Sequence, residues 1–408
     1  MGRLIRLAKK AYRFVRKRGF SGACEYIDNV TAKNDMLGFY NFIVDRTEIP
    51  LVNSDFEAHK NDETKILNWV VPEMGKGSGG HTTIFRFISN LENLGFHSRV
   101  YLFRSANFTT NESIREFLKE NFPILDLRVE IFCDVKYAEF AHATFATSWD
   151  TAYFVRNFNN TISKYYFVQD FEPQFFAVGS EYEFAENTYK MGLRAITAGD
   201  WLKNKLRNEY GMSAESFSFS YDKDIYVPGE KLDDVKRVFF YARPVTPRRD
   251  FELGLLALNE LSKKVEGLEV VFAGWDVSNY EIPFTHQNRG VVTMEELAEI
   301  YRQCDLCLAI SNTNLSLVPL EIMASGSVAV CSKGENSSWL VNEENSILVD
   351  YDPNDIADKM AYYLNNPEAT EVIKKKGLEF AKKSDWKKEA EKVASAIKKG
   401  IAEDTAKM

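Results

Sequence analysis

Ser311-Asn312-Thr313-Asn314-Leu315-Ser316-Leu317-Val318-Pro319-Leu320-Glu321-Ile322-Met323-Ala324-Ser325-Gly326 is the stretch on which the fold of this chain turns. Before it comes Asp305-Leu306-Cys307-Leu308-Ala309-Ile310, an apolar run with the length of a buried parallel strand, ending in small polar residues that cannot continue it. Pro319 suits the first turn of a helix, where its missing N–H costs nothing. The free amides around Ser316 to Leu320 then form an electropositive pocket at that helix start, to which the helix dipole adds, and a phosphate is its usual occupant. Glu321 follows one turn in. A carboxylate cannot serve a phosphate, so its natural partners are sugar hydroxyls of a nucleotide. An ordinary strand-loop-helix with a surface glutamate would read the same way, so the rest of the chain has to decide.

At 408 residues the chain exceeds what one core usually organises, and two domains are expected. A hydrophobic fraction of 45% with 13% aromatics is ample for packed cores and excludes a disordered or fibrous class. No apolar run approaches the roughly 18 residues that span a bilayer, and the basic start lacks the apolar core of a secretory signal, so a cytoplasmic protein is expected. Five cysteines, an odd number scattered through the chain, fit reduced thiols better than a disulfide framework. Cys304 and Cys307 form a C-x-x-C without a second pair, which reads as packing, not a zinc site.

A net charge of −8 argues against a general nucleic-acid binder but conceals an asymmetry. Before the first acid, Glu25, stand Arg3, Arg6, Lys9, Lys10, Arg13, Arg16, Lys17 and Arg18, interleaved with Leu4, Leu7, Ala8, Ala11, Phe14 and Val15 at helical spacing. This basic amphipathic helix, within residues 1–25, suits the anionic inner face of a membrane. The alternative is a solvated arm docked on the protein's own surface.

Short apolar segments alternate with amphipathic ones in two blocks. The first comprises 66–71, 99–103, 129–133, 143–147, 165–168 and 195–197, and the second 217–219, 238–241, 268–273, 306–310, 328–331 and 347–349. This alternation predicts two parallel-sheet α/β domains, with a seam near 210–218 and a cleft outside the carboxyl ends of the strands. The expected division is 26–215 with about 384–408 for the first domain and 216–383 for the second. Thr293-Met294-Glu295-Glu296 is a capping box that opens a helix, and the lysine-rich end from about 384 reads as a terminal helix around Trp386.

Four constellations carry chemistry. Pro72-Glu73-Met74-Gly75-Lys76-Gly77-Ser78-Gly79-Gly80-His81 follows the first strand and leads into a helix, its glycines letting backbone approach an anion. It is neither a Walker A loop nor the dinucleotide fingerprint, and a flexible turn is the alternative. Arg243, Arg248 and Arg249 lie just past a strand end, where guanidinium groups can grip a diphosphate and stabilise a departing one. Phe272-Ala273-Gly274-Trp275-Asp276 and Asn288-Arg289-Gly290-Val291 suit a base pocket or plain loop packing. Tyr165-Tyr166-Phe167-Val168-Gln169-Asp170-Phe171-Glu172-Pro173 sets polar groups beyond another strand end, where Asp170 or Glu172 can orient or deprotonate an acceptor hydroxyl, a structural turn being the alternative. Asp222-Lys223-Asp224 has a D-x-D form but sits away from any first-domain nucleotide loop, so no metal is assigned to it.

Together these pieces resemble the retaining, GT-B-fold glycosyltransferases of family 4, most of all the WsaF-type rhamnosyltransferases of bacterial surface glycans. The resemblance rests on W-V-V-P-E with G-S-G-G-H, F-V-Q-D-F-E-P, Y-A-R-P followed by arginines, F-A-G-W-D, and S-N-T-N-L-S-L-V-P-L-E-I-M-A-S-G, spanning 65 to about 350. It implies two Rossmann-like domains facing across a cleft, with the terminal helix crossing back to the first. Arg243 matches the family's first diphosphate arginine, and the family's lysine aligns with Arg249 or Arg248, depending on a one-residue gap. Glu321 matches the second of two glutamates seven residues apart, the one expected on the ribose, while the first position holds Thr313, a departure from the pattern.

The residues and the resemblance together predict catalytic roles for Arg243, Arg249 and Asp170. They also predict substrate contacts from Gly79, Gly80, His81, Gln169, Glu172, Arg248, Gly274, Trp275, Asn312, Thr313, Leu315, Ser316, Leu317 and Glu321. Neither metal nor cofactor is expected. The implied donor is dTDP-L-rhamnose and the implied acceptor a glycan on a polyprenyl diphosphate, with the protein peripheral on the inner face of the membrane and no nucleic acid as partner. The alternatives are a family 4 enzyme with a UDP- or GDP-sugar donor, an oxidoreductase on paired Rossmann domains, whose glycine fingerprint is missing, or a catalytically silent glycan-binding assembly subunit of the same fold.

Overall fold

The parallel strands lie where buried apolar runs meet helix-forming segments, and they assemble into two sheets. The structure, a computed structural model, describes residues 35–126 and 128–408. The basic amphipathic stretch within 1–25 lies outside the described residues. Residues 35–45, with the short helices Met36–Phe39 and Asn41–Val44, group with 278–281 as a small unit of their own. Residues 46–277 and 282–408 form one unit, which holds both sheets.

The first sheet contains β1 (Ile66–Pro72), β2 (His97–Phe103), β3 (Glu130–Phe132), β4 (Ala141–Ala146), β5 (Thr161–Val168), β6 (Arg194–Ala198) and β7 (Ala214–Phe217), in the order β3-β2-β1-β4-β5-β6-β7. The second contains β8 (Arg237–Tyr241), β9 (Glu269–Ala273), β10 (His286–Asn288), β11 (Leu306–Ala309), β12 (Val328–Ser332) and β13 (Ile347–Val349), in the order β10-β9-β8-β11-β12-β13. Every pairing is parallel. Strands covered on both faces carry near-continuous apolar runs, as β1 and β11 do. In each sheet the chain winds outward from a central strand and returns on its other side. The order therefore reverses between β1 and β4 and again between β8 and β11, the crevices where such sheets bind ligands.

Seven helices matter for the site: α1 (Gly79–Asn93), α2 (Trp149–Asn157), α3 (Phe251–Lys264), α4 (Met294–Gln303), α5 (Val318–Ala324), α6 (Pro367–Lys382) and α7 (Trp386–Thr405). α4 opens on the predicted capping box, Thr293 Oγ1 accepting from Glu296 N at 3.2 Å and Glu296 Oε2 from Thr293 N at 2.9 Å. Pro319 sits in the first turn of α5. α7 packs against α1, β5 and β7, so the C-terminal helix crosses back to the first sheet. Its Asp404 accepts from Arg194 at 2.7 and 2.8 Å and from Ser163 Oγ at 2.8 Å. β5 begins at Thr161, before the apolar run at 165, because Thr161 and Ser163 pair with Ala141 and Ala143 of β4.

Two strand expectations change. The segment at 217–219 does not open the second block, because β7 pairs with β6 and closes the first sheet. Gly211 caps the preceding helix in a left-handed conformation and sends the chain straight into that edge. β10 is a strand that apolar periodicity could not show, being three residues, His286, Gln287 and Asn288, none of them buried. Cys133, Cys304, Cys307 and Cys331 are buried free thiols, consistent with packing. No helix among the described residues is long and apolar enough to cross a membrane.

Candidate active site

The loops at the carboxyl ends of the two sheets meet across the switch points. On the second sheet, the turn after β8 and the turn after β11 are tied together. Arg249 Nη1 donates to Asn314 O at 2.9 Å, Asn312 N donates to Arg248 O at 2.9 Å, and the Asn312 amide bonds the Asp250 carboxylate. Arg243 reaches Gly274 O at 3.4 Å and lies 5.9 Å from the Tyr241 ring centre. Burial weakens the hold of Arg248 and Arg249 on their protons relative to free guanidinium, with the Asp170 carboxylate opposing the effect. Three guanidinium groups brought to one loop pair form a cationic site, which a diphosphate would neutralise.

The first sheet supplies the facing wall. Gln169 Nε2 donates to Gly80 O at 3.0 Å, which links the turn after β5 to the glycine loop after β1. His81 accepts from Ser78 Oγ at 2.7 Å on Nδ1 and its Nε2 faces Pro72 O at 3.3 Å. Because a carbonyl only accepts, the proton belongs on Nε2, and burial holds the ring neutral with its pKa lowered to about 4. Glu172 faces inward: its Oε2 accepts from Trp149 N at 2.7 Å at the start of α2, and burial pushes its carboxyl up to about 8. It is expected on the substrate, but the structure turns it into the interior beside the first sheet, where its carboxyl caps α2.

The walls are joined by Asp170. Thr313 Oγ1 donates to Asp170 Oδ2 at 2.7 Å, Asn314 N donates to Asp170 Oδ1 at 3.0 Å, and Asn314 Nδ2 donates to Gln169 O at 2.7 Å. Arg248 stacks over Phe175, its guanidinium carbon 4.0 Å from the ring centre, with Nε 3.9 Å from Asp170 Oδ2. Asn314, which sequence reasoning passed over, uses all four of its polar groups here: its remaining Oδ1 accepts from Ser316 N at 3.0 Å. That bond holds Ser316 at φ 58°, a left-handed conformation uncommon for a residue with a side chain. No sequence pattern marks Asn314, because its partners at 169, 170 and 249 are remote in the chain.

The structure places the remaining predicted residues as follows. Gly274 has φ 102° and lies against Tyr241, where a Cβ would sit 2.7 Å from the ring, and neighbouring Trp275 is 38% exposed. Gly79 opens α1 with open space beside it. Leu317 is half-buried at the start of α5. Leu315 is buried in the hydrophobic core, so its side chain belongs to packing and not to the pocket. Glu321 lies beside Tyr226. Burial raises its carboxyl to about 7, partly offset by the Tyr226 hydroxyl, and Asp222 pushes it further up. Asp250 is likewise raised to about 6 by burial. Among the described residues, no group of three or more His, Cys, Asp or Glu is placed to hold a metal. Asp222 of the D-x-D triplet is paired with Arg86.

Comparison with known proteins bears on the fold. Residues 236–361 match the family described as WsaF, C-terminal domain. The O-antigen biosynthesis protein RfbC of Myxococcus xanthus is 28% identical over 373 residues, covering 86% of this chain but only 28% of RfbC's own length. Among solved structures, Anabaena HepE in complex with UDP and glucose superposes with a TM-score of 0.63 at 14% identity, over 82% of this chain and 100% of that one. An S. aureus TarM variant in complex with UDP gives 0.66 at 11% identity, over 82% and 100%. At such identities the structures speak for the fold. Residues 236–361 thus carry a WsaF C-terminal domain, and the two sheet orders with the returning C-terminal helix give the chain the GT-B fold of these solved structures.

Proposed function

We propose that the protein is a glycosyltransferase that moves a sugar from a nucleotide-sugar donor onto a growing surface glycan. The observation that carries this reading is the knot in which Arg249 holds Asn314 O, with Arg243 and Arg248 alongside, at the switch point of the second sheet. The donor diphosphate lies against Arg243 and Arg249. The bond from the sugar's anomeric carbon to the diphosphate breaks, a bond to the acceptor oxygen forms on the same face, and the acceptor proton passes to the departing phosphate oxygen. The configuration is retained without an enzymic nucleophile. Fixed guanidinium groups stabilise the growing charge on the leaving group without reorganising during the reaction. The relatives' names support a surface-glycan acceptor, and RfbC is named for O-antigen biosynthesis.

In its finer form the donor is dTDP-L-rhamnose and the acceptor a polyprenyl-diphosphate-linked glycan at the inner membrane face, with residues 1–25 as the membrane arm and 26–215 with 384–408 binding the acceptor. Calorimetric titration with dTDP, UDP and GDP, with and without a chelator, followed by product analysis with the matching sugar nucleotides, tests it. Chelator-independent preference for dTDP supports the rhamnosyl reading, while preference for UDP or GDP changes the donor and keeps the reaction. Removal of residues 1–18 is expected to leave transfer to a soluble acceptor intact and to reduce recovery with anionic liposomes. Equal sedimentation of both forms would count against the arm. A catalytically silent glycan-binding subunit is the second reading, favoured by Thr313 standing where the family pattern has a glutamate. Turnover of any sugar nucleotide removes it.

A further inference from the structure

Asp170 follows β5 of the first sheet, yet most of what fills its carboxylate comes from the second. Oδ1 accepts from Phe171 N at 2.9 Å and from Asn314 N at 3.0 Å, and Oδ2 accepts from Thr313 Oγ1 at 2.7 Å. Arg248 Nε, buried and otherwise unpartnered, stands 3.9 Å from Oδ2. A carboxylate offers about four lone-pair sites. Three are taken by hydrogen bonds and the fourth faces a guanidinium, while the residue is 7% exposed. A general base must come within hydrogen-bond reach of the proton it removes. In this arrangement Asp170 has no free site with which to do so.

What Asp170 does hold is the loop on which the donor reading rests. Asn314 N bonds Asp170, Asn314 O accepts from Arg249, Asn314 Nδ2 bonds Gln169 O, and Asn314 Oδ1 keeps Ser316 left-handed. Two of these four bonds cross from one sheet's loops to the other's. If the domains part, Asn314 loses both, and the loop that positions Arg249 and Ser316 is left with only the bonds inside the second sheet's own turns.

We propose that Asp170 is a positioning residue and not a base: it latches the two domains through Thr313 and Asn314, so that the 311–316 loop and Arg249 take their diphosphate-binding arrangement only when the cleft is closed. The proposal rests on the nucleotide-sugar reading of the same site. It assigns domain closure, not proton transfer, to the acid between the β5 loop and the donor loop.

The test uses the full chain with Thr313→Val, Asp170→Ala and the double variant. Hydrogen exchange of the 311–316 amides without ligand is read first, then kcat/KM and its pH profile with the sugar nucleotide found by titration. The latch predicts that either single change speeds exchange in 311–316 about tenfold or more and lowers kcat/KM by a similar factor, the scale of one charge-assisted hydrogen bond. The double variant falls no further than Asp170→Ala, because both changes open one device. The pH profile of Thr313→Val keeps its shape. Unchanged exchange in Thr313→Val overturns the latch, as does loss of turnover confined to Asp170→Ala. Should Asp170→Ala not fold, exchange in Thr313→Val alone decides. A wild-type protein that turns over no sugar nucleotide but whose loop exchange responds to Thr313→Val keeps the latch and defeats the functional reading.

Discussion

Arg86 and Asp222 form a two-pronged ion pair, with contacts of 2.7 and 2.8 Å, between the helix that follows the first-domain glycine loop and the segment that leads into the second sheet. The guanidinium also stacks on Trp386 of the returning helix, 5.1 Å from its ring centre. The pair thus joins three parts of the chain beside Glu321, and it neutralises the carboxylate that pushes the Glu321 pKa up. Arg86→Ala is expected to lower stability by about 1.5–3 kcal/mol, the scale of a charge-assisted hydrogen bond and below that of a wholly buried pair because Asp222 is 25% exposed. Arg86→Lys should recover only part, since an ammonium cannot make the planar fork. Urea unfolding measures both, and an unchanged midpoint for Arg86→Ala would show that the pair contributes nothing to stability.

Arg243→Ala and Arg249→Ala are each expected to weaken nucleoside diphosphate binding by about 1.5–3 kcal/mol, the worth of hydrogen bonds to charged groups. Arg249→Ala should cost more, because it also frees Asn314 O and slackens the loop that holds Ser316. Calorimetry reads both values. Unaltered affinity in both variants would exclude these residues from the site.

The Glu172 carboxyl gives stability a definite pH dependence. Burial raises it from 4.5 to about 8, so the folded protein keeps the proton that the unfolded chain releases above 4.5. Its contribution to stability is full below about 4.5 and is lost as pH rises through about 8. Glu172→Gln retains an acceptor for Trp149 N–H and cannot ionise. Its stability relative to wild type should climb across that window in urea titrations at stepped pH. His81 has the opposite sign: its pKa is lowered to about 4, so its contribution is present above about 6.5 and is lost as pH falls. A flat difference between wild type and Glu172→Gln would show that Glu172 is not buried as described.

Gly400 lets α7 lie directly against Tyr165, whose hydroxyl a Cβ at that position would strike. Gly400→Ala is therefore expected to destabilise by about 1–3 kcal/mol, the usual cost of overpacking, although alanine is the better helix former. Limited proteolysis should then release the C-terminal helix sooner. If the variant is as stable as wild type, the close approach of α7 to β5 is wrong.

Much of the fold was legible because it depends on neighbours in the chain. Buried parallel strands read as apolar runs, Pro319 and the Thr293 box mark helix starts, and the arginines of 243–249 announce a cationic turn by composition alone. Strand β10 escaped because three partly exposed residues held by β9 carry no periodicity, and 217–219 was placed in the wrong block because a strand's partner is not written in its own residues. The site divides the same way. Arg243, Arg249 and the 311–326 stretch are candidates that local pattern singles out, whereas the inward turn of Glu172 and the four-way use of Asn314 depend on contacts between residues remote in the chain. The sequence by itself determined two parallel α/β sheets and the residue types at their switch points, since periodicity and turn chemistry act over a few residues. Only the tertiary structure decided that Asp170 meets Thr313 and that Arg86 meets Asp222, because hydrogen bonds are directional and short-ranged, and these groups come within about 3 Å only after both sheets have formed and faced each other.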